Sequence, residues 1–180
     1  MQVLPDYLDH DLNLLCIGSN PSPASIAEQC YYGNPRNRFW KALNGSGLID
    51  EPLAQAKESF PILLQRYGIG FTDVVKPPTP GVAQLRASDY KQWAPVLAEK
   101  IMHFSPKICW FQGKVPYANF LKYAGVAHDK VDKINWGEQP LVIGRSRVFV
   151  TPNPSPANAV FSLEDLIMWY KKLQQYSQED

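Results

Sequence analysis

Long hydrophobic runs are missing from this 180-residue chain. None approaches the roughly 20 apolar residues that cross a bilayer, so no membrane contact is expected. The N-terminus, M-Q-V-L-P-D-Y-L-D-H-D, is acidic and lacks the basic-then-apolar order of a signal peptide; a cytoplasmic location is the expectation. Cysteine is scarce, and Cys16, Cys30 and Cys109 show no C-x-x-C spacing. Three thiolates cannot furnish the usual four ligands of an iron–sulfur cluster or an all-cysteine zinc site. Cys16 and Cys109 sit in apolar runs and read as small core residues. His10, His103 and His128 are dispersed without ligand spacing, so no metal is expected. Nucleotide signatures are absent too: there is no G-x-G-x-x-G and no G-x-x-x-x-G-K-[ST]. No G-x-S-x-G elbow surrounds Ser22 or Ser25.

Strong net charge is lacking as well; the formal value is +1, which neither requires nor excludes a nucleic-acid partner. The basic residues cluster locally, as Arg36, Arg38 and Lys41 and again as Arg145 and Arg147, while acids gather at the two ends. Such a rim fits phosphate contacts around one site, and equally fits solvated surface charge.

What the chain does have is a repeated loop. The apolar run Leu12–Ile17 stops at Gly18 and is followed by Ser19-Asn20-Pro21-Ser22-Pro23. Far downstream, Val148–Thr151 leads through Pro152 into Asn153-Pro154-Ser155-Pro156-Ala157-Asn158. The hexapeptides Asn20–Ser25 and Asn153–Asn158 differ only at their last position. A short apolar run bounded by turn-formers reads as a buried strand entering a surface loop. Loops at the carboxyl ends of strands in an open α/β sheet converge on one crevice, so two matching loops predict one shared site.

Between them strands alternate with helices. The pattern predicts a helix over Asn37–Ser46 with Asn37 as N-cap, a second from Ser59 to Gly68, and an extended segment Ile69–Val75 carrying the lone acid Asp73. Lys76–Gly81, with three prolines, is neither helix nor central strand. A long helix follows from a Ser88 cap to about His103, then a strand Lys107–Phe111 and a helix Pro116–Tyr123. The junction at Gly113-Lys114 suits a phosphate or is simply a tight turn. His128–Glu138 is polar and irregular; Leu141–Ile143 and Arg147–Thr151 form a hairpin-like pair; Ser162-Leu-Glu-Asp165 opens the last helix with a capping box, and its end frays from Gln174. The expectation is one α/β domain, a sandwich with a mostly parallel central sheet, residues 1–10 and 175–180 being peripheral tails.

The first loop offers an amide, Asn20, on proline-stiffened backbone, and two tyrosines, Tyr31 and Tyr32, a short way on. An amide can hold a water and an aromatic ring can stack on a planar base. Water, an orienting amide and a stacking ring are the parts needed to hydrolyse a bond at a flat heterocycle. With these residues in view the chain resembles the uracil-DNA glycosylase superfamily. G-S-N-P, then Y-Y-G-N-P-R-N-R-F-W, then N-P-S-P-A-N after the last strand are most similar to its mismatch-specific uracil/thymine branch, and the likeness runs from about Leu12 to Leu173.

The resemblance implies a three-layer α/β/α sandwich, and an enzyme that flips a damaged base from DNA and hydrolyses its N-glycosidic bond, with no cofactor and no lyase activity. It implies DNA containing uracil or mismatches as partner, and a monomer. By that likeness Asn20 is catalytic and positions the attacking water, while Gly18, Ser19, Ser25, Tyr32, Asn37 and Asn153 form the base pocket. Asp73, read from its own chemistry, is the second catalytic candidate, either a general base on the same water or a strand-end acid making a loop hydrogen bond. Ser22, Arg36, Lys114, Ser155, Pro156, Ala157 and Asn158 face DNA, with Ala157–Asn158 at the tip that enters the duplex. Tyr32 stacks on the flipped base and Tyr31 points into the core. Three departures stand out: Ser22 where many relatives have glycine, which is minor, and two that bear on substrate range and mechanism, Asp73 where others carry lysine or asparagine and Pro156-Ala157 where the branch often has Gly-Leu. Two other readings of the same pocket are a non-catalytic binder of single-stranded or abasic DNA, and an α/β enzyme acting on small nucleotides or nucleosides.

Overall fold

A computed structural model describes residues 2–179. Its core is a five-stranded sheet in the order β2-β1-β3-β5-β4. β1 (Leu14–Gly18), β2 (Ile69–Asp73), β3 (Ile108–Gln112) and β5 (Arg147–Thr151) are parallel, and the two-residue β4 (Gly137–Glu138) closes one edge antiparallel to β5. β1, β2 and β3 are buried along their whole length, which is why β1 and β3 read as nearly continuous apolar runs instead of alternating ones, while β2 buries a threonine and an acid as well.

The pleat still divides them. Leu14 and Cys16 of β1 join a core with Phe71, Trp110, Phe149 and helices α2 (Phe39–Gly45), α3 (Ser59–Tyr67) and α6 (Leu163–Ser177). Leu15 and Ile17 join the opposite core with Cys109, Phe111, Val148 and helices α4 (Ala87–Phe104) and α5 (Lys114–Tyr123). The result is the expected three-layer α/β/α arrangement. Leaving β1 the chain goes first to one side of that strand, at β2, and then to the other, at β3. Ligand crevices form at the carboxyl ends of strands beside such a reversal.

Several local expectations are corrected. A short helix, α1 (Pro23–Glu28), starts inside what reads as turn chemistry. Pro23 sits at its first turn, where a missing N–H costs nothing, and the Ser22 hydroxyl caps it by accepting the Ser25 N–H at 3.1 Å. Asn37 caps from one position earlier than expected: its Oδ1 accepts the Phe39 N–H, and the N-cap of α2 is Arg38. Leu141–Ile143 is not the hairpin partner of β5. Its tight turn is real, with Ile143 and Ser146 exchanging backbone bonds, but the ladder runs through Gly137, Glu138 and the Gln139 N–H to Val148, and ends at Pro140, which has no N–H.

Among the described residues, parts of both expected tails pack onto the domain; Met1 and Asp180, their outermost residues, lie outside the described residues. Leu4 is 1% exposed, Tyr7 exchanges both backbone bonds with Phe71, and its ring stacks on Phe60 at 4.9 Å. The C-terminal helix continues past Gln174 to Ser177 because Tyr176 packs on Phe149, under the Arg147 guanidinium at 4.4 Å.

Candidate active site

The four parallel strands deliver their last residues to one cleft of about 600 Å³: Gly18 and Ser19 from β1, Asp73 from β2, Gln112 from β3, and Asn153 just beyond β5. The two N-P-S-P loops do converge. Asn20, Ser22, Ser25, Tyr32 and Asn37 line the cleft from the first; Ser155, Ala157 and Asn158 from the second. Arg36 and Pro156 line a shallower depression alongside, shared with Ser22, Asn37, Ser155 and Ala157. Lys114 lines neither; its ammonium rests over the Trp136 ring at 4.4 Å.

The first loop is built as an extension of the β1–β2 ladder. The Val74 and Val75 N–H groups donate to the carbonyls of Gly18 (2.8 Å) and Ser19 (2.9 Å), and the Thr79 N–H to that of Pro21 (3.2 Å). Across this ladder the Asn20 Nδ2 donates to the Pro77 carbonyl (3.1 Å) and the Thr79 hydroxyl (2.9 Å). A carbonyl only accepts, so this contact fixes which end of the amide is which. Asn20 Oδ1 is left as the free acceptor.

Asp73 is the register partner of Gly18 and is 4% exposed. Its Oδ2 is buried without a hydrogen-bond partner, as is Ser19 Oγ at the neighbouring strand end. Orphaned polar atoms are rare in folded interiors and demand a reason. Burial pushes the Asp73 carboxyl up to about 7, against the opposing pull of Lys76. This acid therefore titrates near neutrality.

Tyr32 adopts a left-handed backbone (φ +56°), which non-glycine residues rarely take. Gln55 Nε2 holds that conformation through the carbonyls of Tyr32 (2.7 Å) and Asn34 (2.8 Å). The ring stacks on Phe39 at 4.3 Å and forms one side of the cleft. Beneath it a chain of polar contacts runs Tyr170 hydroxyl to Gln112 (3.3 Å), Gln112 Nε2 to Cys16 Sγ (3.2 Å), and Cys16 Sγ to Tyr32 hydroxyl (3.4 Å). Tyr31, as expected, is buried in the core, though its edge also reaches the cleft. Asn153 spends its Oδ1 on the Ser155 N–H at 2.8 Å, leaving its NH2 free to donate into the pocket.

Some expected contact residues turn out to hold the loops instead. Ser25 Oγ is buried, accepting the Gly33 N–H (3.0 Å) and the Ser22 hydroxyl (3.1 Å). Asn158 ties its NH2 to the Asn153 carbonyl (2.9 Å) and its Oδ1 to the Val160 N–H (3.2 Å). Arg38, placed by sequence on a basic rim, is no free phosphate ligand. Its guanidinium donates to the carbonyls of Ser155 (3.0 Å), Asn158 (2.9 Å) and Phe161 and so clamps the second loop to the first.

Sequence reasoning missed Gln112, Thr79 and the wall formed by Pro80–Gln84, all of which line the cleft. The signal for Gln112 was its place at a strand end before a glycine. For Thr79 the signal was a lone hydroxyl in a proline-rich loop facing a lone amide. Among the described residues no group of three or more His, Cys, Asp and Glu side chains could hold a metal ion, and no helix is long and apolar enough to cross a membrane.

Residues 5–174 match the profile of the Uracil DNA glycosylase superfamily. The fold is similar to the solution NMR structure of a Methanosarcina acetivorans protein provisionally assigned as a uracil DNA glycosylase, with a TM-score of 0.58, 23% identity, and coverage of 96% of this chain and 98% of that one.

Proposed function

Since the chain belongs to the uracil DNA glycosylase superfamily, we propose that the cleft receives a uracil flipped out of DNA and hydrolyses its N-glycosidic bond without a cofactor. The observation that carries this reading is that one cleft holds both an amide whose donors are already spent, Asn20 on the loop leaving β1, and an unpaired buried carboxyl, Asp73 at the end of adjacent β2. Asn20 Oδ1 accepts one hydrogen of a water and Asp73 takes the other. The water oxygen bonds to the sugar C1′, the C1′–N1 bond breaks, its electron pair leaves with the base, and the proton passes to Asp73. The sugar becomes oxocarbenium-like on the way, so a water held in line needs only modest activation. Tyr32 supplies the stacking face, and the free NH2 of Asn153 a donor to a base carbonyl.

The finer assignment, to the mismatch-specific uracil/thymine branch, rests on the N-R-F-W and N-P-S motifs, and the second loop qualifies it. Pro156 has no N–H to offer an orphaned guanine, and Ala157 is exposed but too short to fill the space a flipped base leaves. The reading is therefore a monofunctional glycosylase with little dependence on the partner base. The experiment compares single-turnover excision from G·U, A·U and single-stranded substrates, with chelator present and at one salt concentration, since phosphate contacts make affinity steeply salt-dependent. Comparable rates on all three support it. DNA retained without a product points to a binder instead, and cleavage of G·U alone assigns guanine recognition to other residues.

A further inference from the structure

The N-terminal segment does more than close the core. Asp6 accepts the Lys76 ammonium (2.7 Å) and the Thr72 hydroxyl (2.7 Å) on Oδ1, and the Lys100 ammonium (2.6 Å) on Oδ2. Lys76 is 6% exposed and follows Asp73 by one turn of chain, yet its ammonium turns away, to Asp6 and to the Tyr31 hydroxyl at 3.2 Å. That hydroxyl donates in turn to the Pro5 carbonyl at 2.9 Å. Among the described residues Asp73 enters no ion pair, although Lys76 is near enough for its charge to act on it.

The groups that face Asp73 electrostatically are Cys16 from β1, Tyr31 and Tyr32 after α1, Lys76 after β2, Lys100 from α4, and Asp6. Of these, burial pushes the Cys16 thiol and the Tyr31 and Tyr32 phenols up, while Asp6, Lys76 and Lys100 form an ion-paired cluster. One carboxylate against two ammoniums leaves a surplus positive charge, which an ionised Asp73 balances at a distance. A lysine is a flexible point charge that follows the nearest carboxylate. Were it to pair with Asp73 directly, the carboxylate would lose proton affinity and its lone pairs would be occupied.

We propose that Asp6 is a positioning residue for the base: by anchoring the Lys76 ammonium against Tyr31 it keeps that cation off Asp73, which then faces the substrate unpaired. This rests on the proposed role of Asp73. It also gives the acidic N-terminal segment a part in chemistry performed at the far end of β2.

The test is a set of single-turnover pH–rate profiles with a carbon-13 titration of the Asp73 carboxyl in the protein alone. Asp6→Asn releases Lys76; the acidic midpoint of both curves falls by about one pH unit or more, and the plateau rate drops ~10-fold or more. Lys76→Met alone moves the midpoint the other way, upward. Asp6→Asn/Lys76→Met recovers the plateau rate, because no ammonium remains to pair with Asp73, and Asp6→Glu behaves like the wild type. A merely structural Asp6 would make the double variant at least as poor as Asp6→Asn. An unchanged midpoint in Asp6→Asn, or a double variant no better than it, overturns the proposal. If Asp6→Asn fails to fold, the upward shift in Lys76→Met decides, and its absence overturns the proposal equally. Full activity in Asp73→Asn instead removes the base itself, an outcome separable from these.

Discussion

A Cβ placed on Gly18 would stand 2.5 Å from Asp73 Oδ1 and 3.1 Å from the Tyr32 hydroxyl. The two residues are register partners across β1 and β2, so neither backbone can retreat without breaking the ladder. The glycine of the G-S-N-P loop is thus a space requirement of the carboxyl opposite. Gly18→Ala is expected to displace Asp73 and lower single-turnover uracil release by about 10²-fold, the usual cost of misplacing a reacting group by an ångström. A wild-type rate in that variant would show that the carboxyl position is immaterial.

Asp73 also makes stability depend on pH. Its carboxyl titrates near 7 when folded, against roughly 3.9 in an unfolded chain. Between those values the folded state holds a proton that the unfolded state has lost, so this contribution is full below about pH 4 and is lost as pH rises to about 7. Asp73→Asn should remove that slope. At pH 8 the variant is expected to be more stable than the wild type, by up to about 4 kcal/mol, while excising far more slowly. Denaturant unfolding at pH 4 and pH 8 checks this; equal stability differences at both values would mean that the carboxyl is not held protonated. The wild-type excision rate should itself rise through about pH 7, as the base ionises.

Tyr32 is held from two sides, by Phe39 at 4.3 Å and by the Cys16 thiol at 3.4 Å from its hydroxyl. Base–aromatic stacking is worth ~1–3 kcal/mol, so Tyr32→Ala should slow excision by about 5- to 150-fold. Tyr32→Phe keeps the ring and should lose less than about 3-fold, since one weak contact to sulfur goes. A large loss with Phe would instead assign the hydroxyl a direct contact to the base.

Arg38 is the clamp on the second loop. Arg38→Ala orphans the carbonyls of Ser155, Asn158 and Phe161, each of which costs about 1–3 kcal/mol where water cannot replace the donor. Amide hydrogen exchange across 155–161 should accelerate, with weaker DNA binding. Arg38→Lys should not restore protection, because a single ammonium cannot reproduce a planar fork. Unchanged exchange would show that the loop is held without the guanidinium.

Much of this was legible in the sequence, and the reasons are local. β1, β3 and β5 announce themselves as apolar runs ending in turn-formers, and the repeated hexapeptide places two loops on one crevice. Gly18, Asn20 and Asn153 were named through the resemblance, and the meeting of strand ends in a parallel sheet is what brings them to one cleft with Asp73. What stayed hidden depends on contacts distant in the chain. Asp6 reads as one acid in an acidic terminus until Lys76 and Lys100 are seen around it. Arg38 reads as a rim charge until three carbonyls from the other end of the chain fill its fork. α1 was hidden by the proline that opens it and the one just before it, and Lys114 looked like a phosphate ligand because nothing near it in sequence foretells Trp136 beneath its ammonium.

The central claim is that Asn20 and Asp73 act together on one water to release uracil. Its most direct test is single-turnover release of free uracil from a uracil-containing strand by the wild type, Asn20→Ala, Asp73→Asn and the double variant, with DNA affinity measured alongside. The account predicts stoichiometric uracil and an alkali-labile strand from the wild type, and a loss of about 10²-fold or more in each single variant at nearly constant affinity. It further predicts a double variant little worse than the poorer single one, because two groups serving one water are not additive. Wild-type rates in the double variant, or a tight wild-type complex that releases no uracil, would contradict it.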